Sequence, residues 1–371
     1  MTFLKNDIIW ITSLAKPKRD KGYTRTFYSY PAKFLSKLPH GLIRRFSKKN
    51  DLIFDPFVGG GTTGLEAMIL ERHFIGYDLN PFAILVSSVK TTYLNPETLQ
   101  LNLNTILNHL NEIKHPRSDI LDEDDKLCLG MKISHEINSF FDEILSKLHK
   151  IPVKQFFELV LIHSIKIVGR RDFESKKNWK NASIVPIFER KAKKMIREIS
   201  LLPRSSKYIP VFKLTSNHQS DLGNNSVDLI VTSPPYKDKD VEYQQIQIQR
   251  RTLHRSKRSN VISKILGTDP LPKSILCGGL GENYWENSLK SLKECYRVLK
   301  PNKFAFYWTG FKNYSDFIHY KNQLVSVGFT LMSTIQVKLS DDRAASSRST
   351  HHGKETGMMS HDYLFITKKP N

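Results

Sequence analysis

The sequence predicts an α/β fold, a doubly wound and mostly parallel sheet interrupted by an inserted helical module. Three observations carry this. Apolar strands alternate with amphipathic helices near residues 50–95 and again from Val227 onward. Between them, residues 97–205 repeat apolar positions at helical spacing (Leu101, Ile106, Leu110; Phe140, Ile144, Leu148; Phe156 to Val168) with little strand alternation. The 371 residues are enough for one α/β domain and an added module.

The first βαβ unit is compact. Leu52-Ile53-Phe54 reads as a strand, Gly59-Gly60-Gly61 breaks it, Thr62 to Glu71 has helical spacing, and Phe74 to Tyr77 forms a second strand ending at Asp78. Strand patterning resumes at Val227 to Val231 and runs into Thr232-Ser233-Pro234-Pro235-Tyr236. A helix over 285–298 leads into the strand Phe304 to Trp308, with further strands near 329–337 and 363–367. The expected division is therefore 1–96 and 206–371 as two parts of one sheet domain, with 97–205 inserted.

With 57 Lys and Arg against 36 Asp and Glu, the formal charge of +21 points to a polyanionic partner. Cys128, Cys277 and Cys295 are scattered and form no C-x-x-C pair, so neither a metal site nor a disulfide is expected. His351 and His352 lack neighbouring ligands and do not change that. No apolar run is long enough for a membrane span, and the lysines near the N-terminus do not follow a signal-peptide layout; a cytoplasmic location is expected.

Asp55-Pro56-Phe57-Val58-Gly59-Gly60-Gly61-Thr62-Thr63 sits where the first strand turns into a helix. Glycines there let backbone approach a ligand, and the helix N-terminus offers N–H groups to an anion. Asp78 ends the next strand 17 positions beyond Gly61, where a carboxylate can accept from both hydroxyls of a ribose. The chain has no G-x-x-x-x-G-K-[ST] loop, so a nucleoside with a carboxylate tail fits better than a triphosphate. Asp221, just before the Val227 strand, is expected to reach an adenine amino group from a third strand end; the alternative is a turn residue ahead of Asn224-Asn225.

Ser233-Pro234-Pro235-Tyr236 leaves a buried strand directly, so it lies at the same carboxyl edge. Two prolines fix φ and remove two N–H donors, leaving carbonyl acceptors with little freedom. Ser233 Oγ and the Pro234 carbonyl can then accept both hydrogens of a base amino group, and Tyr236 offers a ring on which a base flipped from a duplex stacks. A nucleophilic cysteine for attack at a ring carbon is not expected, because none of the three follows a proline.

These motifs together resemble the N4-cytosine and N6-adenine DNA methylase family. Asp55 to Thr63 is similar to its first motif, Asp78 to its second, Asp221 to its third and Thr232 to Tyr236 to its catalytic motif, with the first motif preceding the catalytic one. Tyr30-Pro31-Ala32-Lys33-Phe34 resembles a Y-P-A-K-F segment that packs over the methionine end of the cofactor in these enzymes. Arg297-Val298-Leu299-Lys300-Pro301 resembles an R-V-L-K-P-G turn, with Asn302 where glycine is usual, and the tail from Arg343 to Tyr363 is similar to a late motif.

The resemblance implies a Rossmann-like methyltransferase sheet. It implies S-adenosylmethionine as cofactor, held by Tyr30, Lys33, Asp55, Phe57, Gly59, Gly61, Thr62, Thr63, Asp78 and Asp221, with Ser233, Pro234, Pro235 and Tyr236 catalytic. Double-stranded DNA is the implied partner and a cognate restriction endonuclease the functional one. The S-P-P-Y form implies cytosine N4, whereas D-P-P-Y and N-P-P-[YF] forms imply adenine N6. An RNA base methyltransferase and a catalytically silent DNA-binding subunit are the alternatives.

The insertion is the candidate target-recognition module. From Lys147 to Lys213 it carries 17 Lys and Arg against 5 Asp and Glu, including Arg170, Arg171, Lys176 and Lys177. A second basic segment, Lys237 to Lys264, includes Arg250 and Arg251, and Arg343 lies in the tail. Such charges supply phosphate affinity without sequence specificity.

Overall fold

The computed structural model describes residues 5–14, 22–28, 30, 34–113, 115–169, 183–204, 207–218, 220–237, 246–250, 255–269, 283–311, 313–338 and 361–371. The strands are β1 (Leu52–Asp55), β2 (His73–Asp78), β3 (Val211–Leu214), β4 (Val227–Thr232), β5 (Ile246–Arg250), β6 (Arg255–Ser259), β7 (Leu299–Phe311), β8 (Thr330–Lys338) and β9 (His361–Lys368). The helices are α1 (Lys5–Leu14), α2 (Lys37–Phe46), α3 (Thr62–Ile69), α4 (Pro81–Thr91), α5 (Pro96–His109), α6 (Glu123–Leu129), α7 (Met131–Lys147), α8 (Ile151–Gly169), α9 (Val185–Ile199), α10 (Val261–Leu266), α11 (Tyr284–Val298) and α12 (Tyr314–Ser326).

Among the described residues one sheet has seven strands in the order β3-β2-β1-β4-β7-β9-β8. Parallel ladders join β3 to β2, β2 to β1, β1 to β4 and β4 to β7; β9 runs against both β7 and β8. Side-chain alternation divides the apolar residues between two faces. Ile53, Leu229, Val231, Phe304, Phe306, Leu364 and Ile366 cluster with α1 and α2. Phe54, Ile230, Ala305, Tyr307 and Phe365 cluster with α11 and α12. Covered on both sides, β4 is buried along its whole length and reads as an apolar run apart from Asp228 and the terminal Thr232. Strand order reverses around β1 and β4, which makes their carboxyl ends the switch point at which such sheets bind ligands.

The fold matches the expected doubly wound sheet, with two differences. β3 was not visible in the sequence pattern. It is four residues long at a sheet edge, with Val211 and Leu214 exposed, and so lacks the buried alternation that marks a strand. The helical insertion, for its part, shares its core with the sheet domain among the described residues. One apolar cluster runs from Phe27 and α4 through α5, α7, α8 and α9 to α10, so residues 97–205 extend the sheet domain's own packing. The backbone of the antiparallel β5–β6 hairpin lies beside α6 and α8.

The turn into β7 accounts for the residue that stands where glycine is usual. Asn302 has φ 62°, the left-handed region in which asparagine is the best-tolerated L-residue. Asn302→Gly is therefore expected to leave stability within about 0.5 kcal/mol of the parent, and Asn302→Val to cost about 1–2 kcal/mol. Urea unfolding of the two variants checks this; equal stabilities would contradict it.

Candidate active site

The glycine loop leaves β1 at Asp55 and enters α3 with Gly61 as N-cap. Gly59 and Gly61 have φ 49° and 67°, and a Cβ at Gly61 would sit 2.8 Å from Ser87, so this turn demands glycine for both conformation and space. Tyr30 is buried over the loop, its Cβ 3.0 Å and its ring 3.4 Å from where a Gly60 Cβ would lie, and its hydroxyl accepts from Asn80 Nδ2. From beneath, the buried Lys90 ammonium donates to the Gly60 carbonyl.

Asp78 closes the loop from β2. Its Oδ2 accepts from Gly59 N at 2.8 Å and its Oδ1 from Asn80 N at 2.9 Å. Removal from water pushes its carboxyl up to about 6 against those two hydrogen bonds. Asp55 is similarly raised to about 6 by burial, and its Oδ1 accepts from Phe57 N and from Thr232 Oγ1. Thr62, at the first turn of α3, has a buried Oγ1 with no hydrogen-bond partner among the described residues.

The second loop leaves β4 at Thr232. That residue's hydroxyl reaches Asp55 at 2.6 Å, so the first residues of the two loops are bonded across the switch point. Tyr284 OH donates to the Pro235 carbonyl at 3.0 Å, and Lys237 pairs with Asp316 at 2.7 Å while lying over the Trp285 ring. The Tyr236 ring lies against β7, 3.0 Å from where a Gly310 Cβ would be. Opposite Gly310 in the ladder stands the buried Asp362, which accepts from Trp308 Nε1. Phe34, from the upstream segment, meets Trp308 from the other side.

The structure thus brings together Tyr30, Asp55, Phe57, Gly59, Gly61, Thr62, Thr63, Asp78 and Ser233 to Tyr236. Asp221 is a different case. It lies seven residues past the end of β3, largely exposed, and its carboxylate is taken by Lys213 and by the Tyr77 hydroxyl, which hold its carboxyl below the usual range. The backbone that continues β3 beside Asp78 is Thr215, whose N–H donates to the Asp78 carbonyl.

Lys33, Arg170, Arg171, Lys176, Lys177, Arg251 and Arg343 lie outside the described residues, as does Cys277; Arg250 ends β5. Cys295 is buried behind the sheet with its thiol pushed up to about 12, and Cys128 is on α6. Among the described residues no group of His, Cys, Asp and Glu could hold a metal ion, and no helix is long and apolar enough to cross a membrane.

Sequence reasoning missed four contributors: the Thr232 hydroxyl as a link between loops, Tyr284, Lys90 and Gly310. Only Gly310 carried a readable signal, since an isolated glycine in an apolar strand marks a close approach. The other three depend on which elements meet.

A reversed-order parallel sheet with a glycine loop, a ribose-type acid and an S-P-P-Y turn at its switch point defines a Rossmann-like enzyme of the methyltransferase class. The DNA methylase family profile, covering amino-group methylases of the N6 and N4 types, matches residues 4–88 and 227–370, and the chain belongs to this family of S-adenosylmethionine-dependent enzymes. The unmatched stretch is the helical insertion with β3.

Among curated relatives, the Type II methyltransferase M.MjaII of Methanocaldococcus jannaschii is 31% identical over 116 residues, 31% of this chain and 22% of that protein. M.MvaI of Kocuria varians is 23% identical over 255 residues, 59% of this chain and 54% of that protein. The chain spans between about a fifth and about half the length of these relatives. A solved TehB-like SAM-dependent methyltransferase from Corynebacterium glutamicum is similar over 89% of this chain and 86% of that one, with 10% identity and a TM-score of 0.34.

The residues present suit S-adenosylmethionine. A cradle that a Cβ would fill, the unpartnered Thr62 hydroxyl and a carboxylate at the end of β2 answer a carboxylate tail and a ribose. A pH dependence follows. Asp55 and Asp78 hold protons up to about 6 in the fold but only to about 3.8 when unfolded, so stability without cofactor falls as pH rises through that window. Cofactor binding has the opposite sign, because accepting two hydroxyls needs Asp78 ionised. Calorimetric affinity is expected to weaken by up to about tenfold per unit below pH 6. An affinity unchanged down to about pH 5 would remove Asp78 from ribose binding.

Proposed function

We propose that this protein transfers the methyl group of S-adenosylmethionine to an exocyclic amino group of a base in duplex DNA, cytosine N4, as the modification enzyme of a restriction-modification system. The single observation that carries the reading is the Thr232 to Asp55 hydrogen bond, which couples the glycine loop to the S-P-P-Y loop at the switch point. Bound at the glycine loop, S-adenosylmethionine supplies an electrophilic methyl group on a sulfonium centre. Ser233 Oγ and the Pro234 carbonyl accept the two hydrogens of the amino group, which favours a pyramidal nitrogen with its lone pair free to attack. Tyr236, backed by Gly310, gives the extruded base a stacking surface. Tyr284 and Lys237 hold that loop in place, so little reorganisation accompanies the reaction.

The choice of cytosine is supported by the serine at the head of the motif, and double-stranded DNA by the charge of +21. A cognate endonuclease as functional partner is supported by relatives named Type II methyltransferases. To test this, the protein is incubated with methyl-labelled cofactor and duplex DNA, and the DNA is digested to nucleosides. Label in N4-methyldeoxycytidine is expected; label in N6-methyldeoxyadenosine moves the target base, and transfer to RNA alone sinks the reading.

A further inference from the structure

We propose that Lys166, Lys191 and Lys194, which converge from α8 and α9 on residues 26–28, form a seat for one backbone phosphate of the duplex. The inference rests on the duplex-DNA reading above and deepens it. Both helices hold the chain from Thr26 to Tyr28. Thr26 Oγ1 donates to Glu198 Oε1 at 2.9 Å, and the Phe27 carbonyl accepts from His163 Nδ1 at 3.1 Å. The Tyr28 ring meets the His163 ring edge-on, with centroids 5.4 Å apart, and the Lys166 ammonium lies 4.3 Å from the Tyr28 centroid. Burial and then Lys191 push the His163 imidazole down to about 3, with Lys166 and Lys194 acting in the same direction. The ring is therefore neutral, and three lysines surround it.

Lys191 is the group that calls for an anion. It is 8% exposed, and its ammonium has no hydrogen bond or ion pair among the described residues. A buried charge without a partner is costly, and burial with Lys194 nearby pulls this ammonium down to about 7. The carboxylate beside the cluster, Glu198, is shared between Thr26 and Lys194, the latter at 3.6 Å. One carboxylate against three lysines leaves an excess of positive charge that an incoming phosphate offsets through charge-assisted bonds.

Two features favour a phosphate of DNA over a free anion. Phe82 lies in the first turn of α4, just past the carboxyl end of β2, and its ring meets those of Tyr28 at 5.0 Å and Tyr30 at 6.0 Å. The seat thus stands at the same edge of the sheet as the glycine loop that Tyr30 covers. Lys194 is half-exposed and opens the cluster to solvent, and the segment 170–182 that joins α8 to α9 has five Lys and Arg against Asp172 and Glu174. Positive charge that continues beyond the seat suits a polyanion, whereas a free phosphate would need the seat alone.

The test titrates duplex DNA into the full chain across a salt series of about 50–200 mM. Lys191→Met keeps the side chain's bulk and is expected to unfold in urea no earlier than the parent, because it removes an unpaired buried ammonium. Its DNA affinity is expected to fall about tenfold for all sequences alike, with the slope of log affinity against log salt shallower by about 1. Lys194→Met, at a more exposed position, is a second arm with the same expected direction. Lys49→Met removes an exposed lysine ahead of β1, at the opposite edge of the sheet, and should leave the slope as it is. Parent slopes in both Lys191→Met and Lys194→Met overturn the seat, as does an equal change in Lys49→Met. Inorganic phosphate that stabilises the parent but not Lys191→Met, with the DNA slopes unchanged, overturns the assignment to DNA in favour of a free anion. No salt-dependent binding of any duplex by the unmodified protein would instead overturn the DNA reading itself.

Discussion

Tyr236→Ala slows methyl transfer by about a hundredfold while cofactor affinity stays within about threefold of the parent. In the proposed function the ring is the stacking surface for the extruded base, and stacking of this kind is worth about 1–3 kcal/mol per base. Its loss also releases the base from the position facing Ser233 and the Pro234 carbonyl, which adds an orientation term. The ring rests on Gly310 of β7, whereas the glycine loop is held by Tyr30, Asp78 and Lys90, so the cofactor side is expected to be indifferent to it. Single-turnover rates with saturating cofactor, beside calorimetric cofactor titration, give the two quantities. Tyr236→Phe keeps the ring and should recover most of the rate.

Asp78→Ala has the complementary effect and weakens S-adenosylmethionine binding by about a hundredfold. In the proposed function the substitution removes the carboxylate that accepts from the ribose hydroxyls. That carboxylate also holds Gly59 N and Asn80 N, so the glycine loop and the start of α4 lose their common acceptor. At saturating cofactor the transfer rate should return to within about tenfold of the parent, because the S-P-P-Y loop is anchored separately by Tyr284 and Lys237. Equal loss of cofactor affinity in Asp78→Ala and Tyr236→Ala would contradict this division of labour.

Both variants act on residues that are legible in the amino-acid sequence alone. Gly59 to Gly61, Asp78 and Ser233 to Tyr236 stand out because each local chemistry is unusual: positive φ, a strand-ending acid, a double proline after an apolar run. Asn302 belongs with them, since its left-handed backbone is the reason asparagine can replace the usual glycine there. For Asp221 the fold adds what its position in the sequence does not show, an ion pair with Lys213 and a hydrogen bond from the Tyr77 hydroxyl.

Periodicity, turn residues and motif order by themselves determined the doubly wound sheet, the inserted helices and the position of the two loops at its carboxyl edge, because these are local properties of the chain. Tertiary structure alone decided three further matters. It placed β3 at the sheet edge, where exposure erases the apolar signal. It merged the insertion with α4 into one core. It also joined Asp55 to Thr232 and set Tyr236 on Gly310, contacts between residues 177 and 74 positions apart that no local pattern encodes. Such pairings follow from strand order, which is settled by how all the apolar faces are buried together.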